Sequence, residues 1–135
     1  HRLLDDVPLA LPALARAAKL QRRAARVGFD WPQAAQVLDK IEEEIAELRA
    51  ELKEPANVDR LSDEIGDLLF AAVNLARHLG IDAETALRRS NAKFERRFGN
   101  IEDALRARGQ RLEDASLDEM EALWQEAKAA EREPA

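Results

Sequence analysis

Glycine and proline divide this chain into five stretches, and within each the apolar residues recur three or four positions apart. That period belongs to helices that bury one face; a half-buried strand would alternate every second residue, and no segment does. The stretches run over about 10–27, 32–53, 58–79, 83–108 and 117–131. The second carries Val37, Leu38, Ile41, Ile45, Leu48 and Leu52, and the third Leu61, Ile65, Leu68, Ala72, Leu75 and Leu79. The fourth carries Leu87, Phe94, Phe98, Ile101 and Leu105, the fifth Leu117, Met120, Leu123 and Trp124. The first is weaker, with Leu14, Ala18 and Ala25. Asp30 with Gln33, and Ser116 with Glu119, have capping-box spacing, and Asp82 can cap the fourth helix. Gly66 and Gly99 fall inside helical patterns, where each costs up to ~1 kcal/mol against Ala. The connections are short, which favours antiparallel neighbours in an all-α bundle of about five helices.

Composition supports that reading and closes off others. The 135 residues suffice for one domain over 1–135 with a core, and 46% are apolar. Only six are aromatic, too few for an all-β fold. The absence of cysteine excludes disulfides, thiolate metal sites and cysteine nucleophiles, and fits an intracellular, cytoplasmic setting. No apolar run approaches the roughly 20 residues of a membrane span, and none reads as a signal peptide. The chain opens at His1 without Met, as expected of a segment cut from a longer protein. A net charge of −6 disfavours a nucleic-acid duplex as partner, although a metal cation can join an acidic protein to a polyanion.

Two helices repeat almost the same hexapeptide. Residues 43–48 read Glu-Glu-Ile-Ala-Glu-Leu, and residues 63–68 read Asp-Glu-Ile-Gly-Asp-Leu. Positions three apart share a helix face, so Glu44 projects with Glu47, and Glu64 with Asp67, each pair at the same flank of its own apolar stripe. If the stripes pack antiparallel, the four carboxylates converge. Unneutralised, they would repel and raise one another's pKa, and neither hexapeptide contains Lys or Arg. A hard divalent cation resolves this, because Mg²⁺ takes oxygen ligands and leaves room for water and phosphates; Mn²⁺ is a possible substitute. Zinc is disfavoured for want of Cys and a well-placed His. A solvated acidic face would account for one Glu-x-x-Glu, but less readily for two matched copies on neighbouring helices.

Cations follow on the fourth helix. Lys93 and Arg97 are one turn apart and face alike. Asn91 stands where the stripe of Leu87 and Phe94 would take a hydrophobe, so a buried partner is expected for it. Lys128 follows Trp124 by four, again on one face. The bland alternative makes Lys93 and Arg97 surface charges and Trp124 core. Phe29 and Trp31 lie together in the first break, where they either plug the space between helices or stack on a base. His78, in a last turn, reads as a complement to the helix dipole and not as a ligand.

These residues resemble the MazG family of nucleotide pyrophosphohydrolases, within the all-α NTP pyrophosphatase superfamily. The family signature appears as Glu43-Glu44-Ile-Ala-Glu47 and Glu64-Ile-Gly-Asp67. The likeness extends to Val27-Gly-Phe-Asp-Trp31, Gly66-Asp-Leu-Leu-Phe70, Asn74-Leu-Ala-Arg-His78, Asn91-Ala-Lys-Phe-Glu-Arg-Arg-Phe98 and Leu4-Asp-Asp-Val-Pro8. It covers roughly residues 3–130 and is similar to the C-terminal, catalytic domain of two-domain members. The resemblance implies an all-α MazG-like bundle that cleaves nucleoside triphosphates, NTP or dNTP, to monophosphate and pyrophosphate. It implies Mg²⁺ on Glu44, Glu47, Glu64 and Asp67, the triphosphate on Lys93 and Arg97, and Trp124 and Lys128 near the nucleotide. It also implies a homodimer or larger homo-oligomer. Glu43, beside the ligand pair, is a candidate general base. Nucleotide-pool housekeeping is a plausible role for such an enzyme.

Two other readings compete. A di-iron bundle needs Glu-x-x-His twice, and neither His1 nor His78 follows a Glu by three. A non-catalytic acidic oligomerisation module has no reason to repeat the acidic pair on matched faces.

Overall fold

The structure, a computed structural model, describes residues 1–53, 55 and 57–132. They form five α-helices and one short 3₁₀ turn, and among the described residues there is no strand. Residues 54, 56 and 133–135 of the expected domain lie outside this set. The chain divides into two compact units, His1–Ala86 and Leu87–Ala135.

The first unit holds α1 (Ala13–Ala25), α2 (Ala34–Glu51), α3 (Val58–His78) and the first turn of α4 (Ala83–Ala107). α3 packs against both α1 and α2. The register on α2 is antiparallel: Glu51 meets Arg60 at 2.5 Å, and further along Glu44 and Glu47 stand beside Glu64. Val37 on α2, Ala71 and Val73 on α3, Ala18 on α1 and Val7 ahead of α1 are buried. The Gln21 amide on α1 also donates to the Phe70 carbonyl on α3 at 2.9 Å.

Several boundaries differ from the sequence reading, each for a local reason. α1 begins at Ala13, not near residue 10, because Pro12 restricts the residue before it to extended conformations. α2 begins at Ala34, not residue 32, since Gln33 is extended (φ −138°, ψ 148°). The capping there is not Asp30 with Gln33: the Gln36 side chain accepts from the Gln33 N–H at 3.1 Å, and Asp30 is engaged elsewhere. The other caps are as expected. Ser116 Oγ accepts from the Glu119 N–H at 3.1 Å, and Asp82 Oδ2 from the Thr85 N–H at 3.2 Å. The unanticipated cap is Asn57, which accepts from the Arg60 N–H at 3.2 Å.

The second unit holds the rest of α4, the 3₁₀ turn Leu112–Asp114 and α5 (Leu117–Arg132). Ile101, Leu105 and Leu123 form its core, flanked by Phe98, Met120 and Trp124. Leu105 is almost wholly enclosed, at 1% exposure. Gly109, at φ +68°, ends the α4 turn in a conformation that side chains rarely adopt.

Not every residue of the apolar stripes is covered. Leu38 and Ile45 on α2 with Leu52 at its C-cap, and Ile65 on α3 with Leu79 at its C-cap, are exposed in the single chain. Ala72, expected on the buried stripe, is exposed, and Asn74 is buried instead. The predicted stripe points toward the right side of α3 but is centred a residue away from the face that is covered.

A carboxylate cluster and an aromatic-lined cavity

The antiparallel packing of α2 on α3 sets three of the repeated acids side by side. One carboxylate oxygen from each of Glu44, Glu47 and Glu64 lies within 4.8 Å of the others. Glu44 is buried at 4% exposure, Glu64 is half-buried and Glu47 is exposed. Asp67 is exposed and is not part of this group of three.

Desolvation, and then the neighbouring charges of Glu47 and Glu44, push the Glu64 carboxyl above its ordinary value. One cation answers this charge. Lys40, a turn before Glu44 on α2, places Nζ 3.0 Å from Glu44 Oε1. Its own pKa is raised, chiefly by that hydrogen bond. The hexapeptides contain no basic residue, so a search within them misses Lys40; the spacing Lys40 to Glu44, i to i+4, was its signal. Lys40 does not complete the neutralisation, because Glu44 Oε2 and Glu64 Oε2 are buried with no hydrogen-bond partner. Buried acceptors left unpaired are costly and demand an explanation. An all-oxygen donor set with two such orphans fits a hard divalent cation. Glu44, Glu47 and Glu64 are the residues that could hold it.

At the other end of α3 the first break folds over the helix. Gly28 adopts φ +92°, which turns the chain so that Phe29 and Trp31 border a cavity of about 500 Å³. Leu4, Leu20, Phe70 and Asn74 contribute to the same wall. Asp30, between the two aromatics, fixes the loop to α3: its Oδ1 lies 2.6 Å from Arg77 Nη2 and 2.9 Å from His78 Nε2. Hydrogen bonding to Arg77, more than to His78, holds the Asp30 carboxyl below its usual range. His78 therefore has a specific partner that its position at a helix end did not reveal.

In the second unit, the Arg97 guanidinium sits 5.3 Å from the Trp124 ring centroid, and Phe94 packs on the other aromatics. Arg97 is also paired with Glu131 at 2.8 Å, and Arg96 joins the same carboxylate at 3.1 Å. That double pairing holds the Glu131 carboxyl down to about 2, with Arg97 the larger cause. Lys128, one turn after Trp124, is half-buried and Lys93 is exposed. Asn91 is exposed too, so the buried partner expected for it is not there; the stripe of Leu87 and Phe94 is itself open at that level.

Comparison with known proteins identifies the family. Residues 33–101, which include α2, α3 and most of α4, match the model of the MazG nucleotide pyrophosphohydrolase domain. The chain belongs to that all-α family. It is 52% identical over 133 residues to the nucleoside triphosphate pyrophosphohydrolase of Escherichia coli (strain K12), which takes in 97% of this chain and 50% of that protein. It is 41% identical over 128 residues to the nucleoside triphosphate pyrophosphohydrolase/pyrophosphatase MazG of Thermotoga maritima, covering 95% of this chain and 49% of the other. It is also 48% identical over 130 residues to the uncharacterized protein YabN of Bacillus subtilis (strain 168), covering 96% and 27% respectively. The chain thus spans about half the length of the first relatives it matches.

Proposed function

We propose that this chain hydrolyses nucleoside triphosphates to the monophosphate and pyrophosphate in the presence of Mg²⁺, with Mn²⁺ as a substitute. The observation that carries the proposal is the convergence of Glu44, Glu47 and Glu64 with two buried, unpartnered carboxylate oxygens, in a chain of the MazG family. The names of the Escherichia coli and Thermotoga maritima relatives support the substrate class.

A divalent cation held by these carboxylates would supply polarisation of a phosphoryl oxygen and activation of water. The protein's own residues do the rest. Glu44, Glu47 and Glu64 would hold the cation, with Asp67, exposed one turn further along α3, as a fourth carboxylate. Glu43 stands next to the ligand pair as the candidate general base for the attacking water. Lys93 and Arg97, with Lys128, supply positive charge for the triphosphate, and phosphate displaces Glu131 from Arg97. Trp124 and Asn91 contribute beside them, and Phe29 and Trp31 stack on the base. Attack at the α-phosphorus breaks the bond to the β-phosphate bridging oxygen, so pyrophosphate leaves in one piece.

The exposed Leu38, Ile45 and Ile65 give α2 and α3 an apolar face that a second copy of the chain can cover, consistent with a homodimer or larger homo-oligomer. No helix among the described residues is long and apolar enough to cross a membrane. A cytoplasmic place in nucleotide-pool housekeeping, with no nucleic-acid duplex or membrane as partner, fits this reading. Pyrophosphate release from a panel of ribo- and deoxynucleoside triphosphates with Mg²⁺ tests it. Stoichiometric monophosphate and pyrophosphate are expected; no release from any triphosphate would leave a non-catalytic oligomerisation module as the better account.

A further inference from the structure

The cationic seat on α4 is occupied by a group of the chain itself. Arg97 Nη2 and Nε donate to Glu131 Oε2 at 2.8 and 3.1 Å, and Arg96 Nε donates to Glu131 Oε1 at 3.1 Å. One carboxylate is therefore bridged between two consecutive guanidinium groups. The two arginines are not equivalent: the Arg96 side chain is 56% exposed and the Arg97 side chain only 11%. Arg97 lies against Trp124, its guanidinium carbon 5.3 Å from the ring centroid. A guanidinium so little hydrated needs an anion beside it, and its fork of donors suits the oxygens of a phosphate as well as those of a carboxylate.

Glu131 is well placed for this seat and poorly suited to keep it. It stands in the last turn of α5, where a negative charge faces the negative end of the helix dipole. Its side chain is 27% exposed, so water and other anions reach the pair. Lys128, one turn earlier on α5, is among the cations proposed for the triphosphate, so one helix carries both a phosphate partner and a phosphate rival. Arg96 lowers the cost of exchange: a carboxylate that leaves Arg97 keeps a cation on its other oxygen.

We propose that Glu131 is an internal competitor for the phosphate seat of Arg97, displaced when a triphosphate enters and returning as pyrophosphate leaves. The proposal rests on the reading of Arg97 as a triphosphate contact and goes beyond it, because it concerns the release of product. A ligand that competes with a group of the same chain binds with its intrinsic affinity reduced by the fraction of protein in which the seat is free. When a phosphate group lifts from Arg97, the carboxylate takes its place before the ligand settles back, so departure is faster. The rival weakens substrate and product alike, and the gain falls on turnover wherever product departure limits it.

Calorimetric titration with inorganic pyrophosphate, in chelator and without divalent cation, tests the competition apart from the carboxylate cluster. Glu131→Gln keeps the shape and removes the charge. It should bind pyrophosphate about three- to tenfold more tightly than the unaltered protein, the range for two partly exposed ion pairs. Glu131→Ala should do the same. In the unaltered protein, the Glu131 carboxyl carbon resonance should move as pyrophosphate is added. During hydrolysis with Mg²⁺, pyrophosphate should inhibit Glu131→Gln at a lower concentration, and KM should fall while kcat does not rise. Pyrophosphate binding that is unchanged or weaker in both variants overturns the proposal and makes Glu131 a support for Arg97. A carboxyl resonance indifferent to pyrophosphate, or inhibition at an unchanged concentration, overturns it as well. Failure of the hydrolase reading looks different: tighter pyrophosphate binding in the variants, with none released from any triphosphate, removes the activity and leaves the competition intact.

Discussion

Lys40 Nζ lies 3.0 Å from Glu44 Oε1, an ammonium on a side chain one-third exposed reaching a carboxylate side chain that is only 6% exposed. The pair gives one of the three clustered acids a counter-charge, while two carboxylate oxygens remain unpartnered.

Replacing Lys40 should therefore expose the strain. Lys40→Met keeps the aliphatic stem and removes the charge. It is expected to lower the stability of the metal-free protein by about 1 kcal/mol, a charged hydrogen bond discounted for the exposure of the lysine. The stabilisation by Mg²⁺ should grow at the same time, because the cation then relieves more repulsion. Melting curves with and without Mg²⁺ check both; an unchanged metal-free midpoint would show that Lys40 does not offset the cluster.

Glu47 and Asp67 should behave differently from each other. Glu47→Gln removes a repelling charge, so it should raise metal-free stability and blunt the response to Mg²⁺. Asp67→Asn, outside the group of three, should leave the Mg²⁺ response of the protein alone nearly intact while lowering hydrolysis. A ligand that binds only the folded state stabilises it by about 2.7 kcal/mol at a hundredfold excess over Kd, several degrees for a domain of this size. Monovalent salt at matched ionic strength is the control for screening. An Asp67→Asn protein deaf to Mg²⁺ would place Asp67 in the primary site.

The Glu131 pair gives an acid-side signature. Its carboxyl has an ordinary value of 4.5 and is held at about 2 in the folded protein, so its contribution to stability is fully present above pH 4.5 and is lost as pH falls toward 2. Glu131→Gln should flatten that part of the stability profile. It also frees Arg97, so triphosphate binding should tighten in Glu131→Gln. Arg97→Ala should lose about tenfold or more for triphosphate and less for monophosphate. Equal losses for the two nucleotides would put Arg97 away from the phosphate tail.

The loop carrying the aromatics depends on Gly28 and Asp30. Gly28→Ala should cost roughly 1–2 kcal/mol through its positive φ, since space is open around the added methyl. Asp30→Asn weakens the tie to Arg77 and His78, and is expected to impair nucleotide binding more than metal binding. Parallel titrations with Mg²⁺ and with nucleotide separate the two effects.

Much of this organisation is legible in the chain itself, because helical period, Gly and Pro breaks and the twin hexapeptides are local signals. The antiparallel pairing that joins Glu44 and Glu47 to Glu64 follows from two apolar stripes and a short connection. What escaped is what periodicity cannot carry. A stripe says which face is apolar, not what covers it, so Leu38 and Ile45 look like core and lie exposed. Asn91 was placed by the same logic and is open to solvent. Gln21 gave no signal, because a glutamine on the weakly patterned α1 becomes informative only when its partner, 49 residues away, is known.

The proposed metal-dependent pyrophosphohydrolase activity rests on the Glu44, Glu47 and Glu64 cluster. Its most direct test is pyrophosphate release from nucleoside triphosphate, titrated with Mg²⁺, for the unaltered protein and for Glu64→Gln. The unaltered protein should give saturable Mg²⁺ dependence with monophosphate and pyrophosphate in equal amounts, and Glu64→Gln should fall by about a hundredfold or more with its helical content intact. Hydrolysis by Glu64→Gln at the unaltered rate, or products that are diphosphate and orthophosphate, would contradict it.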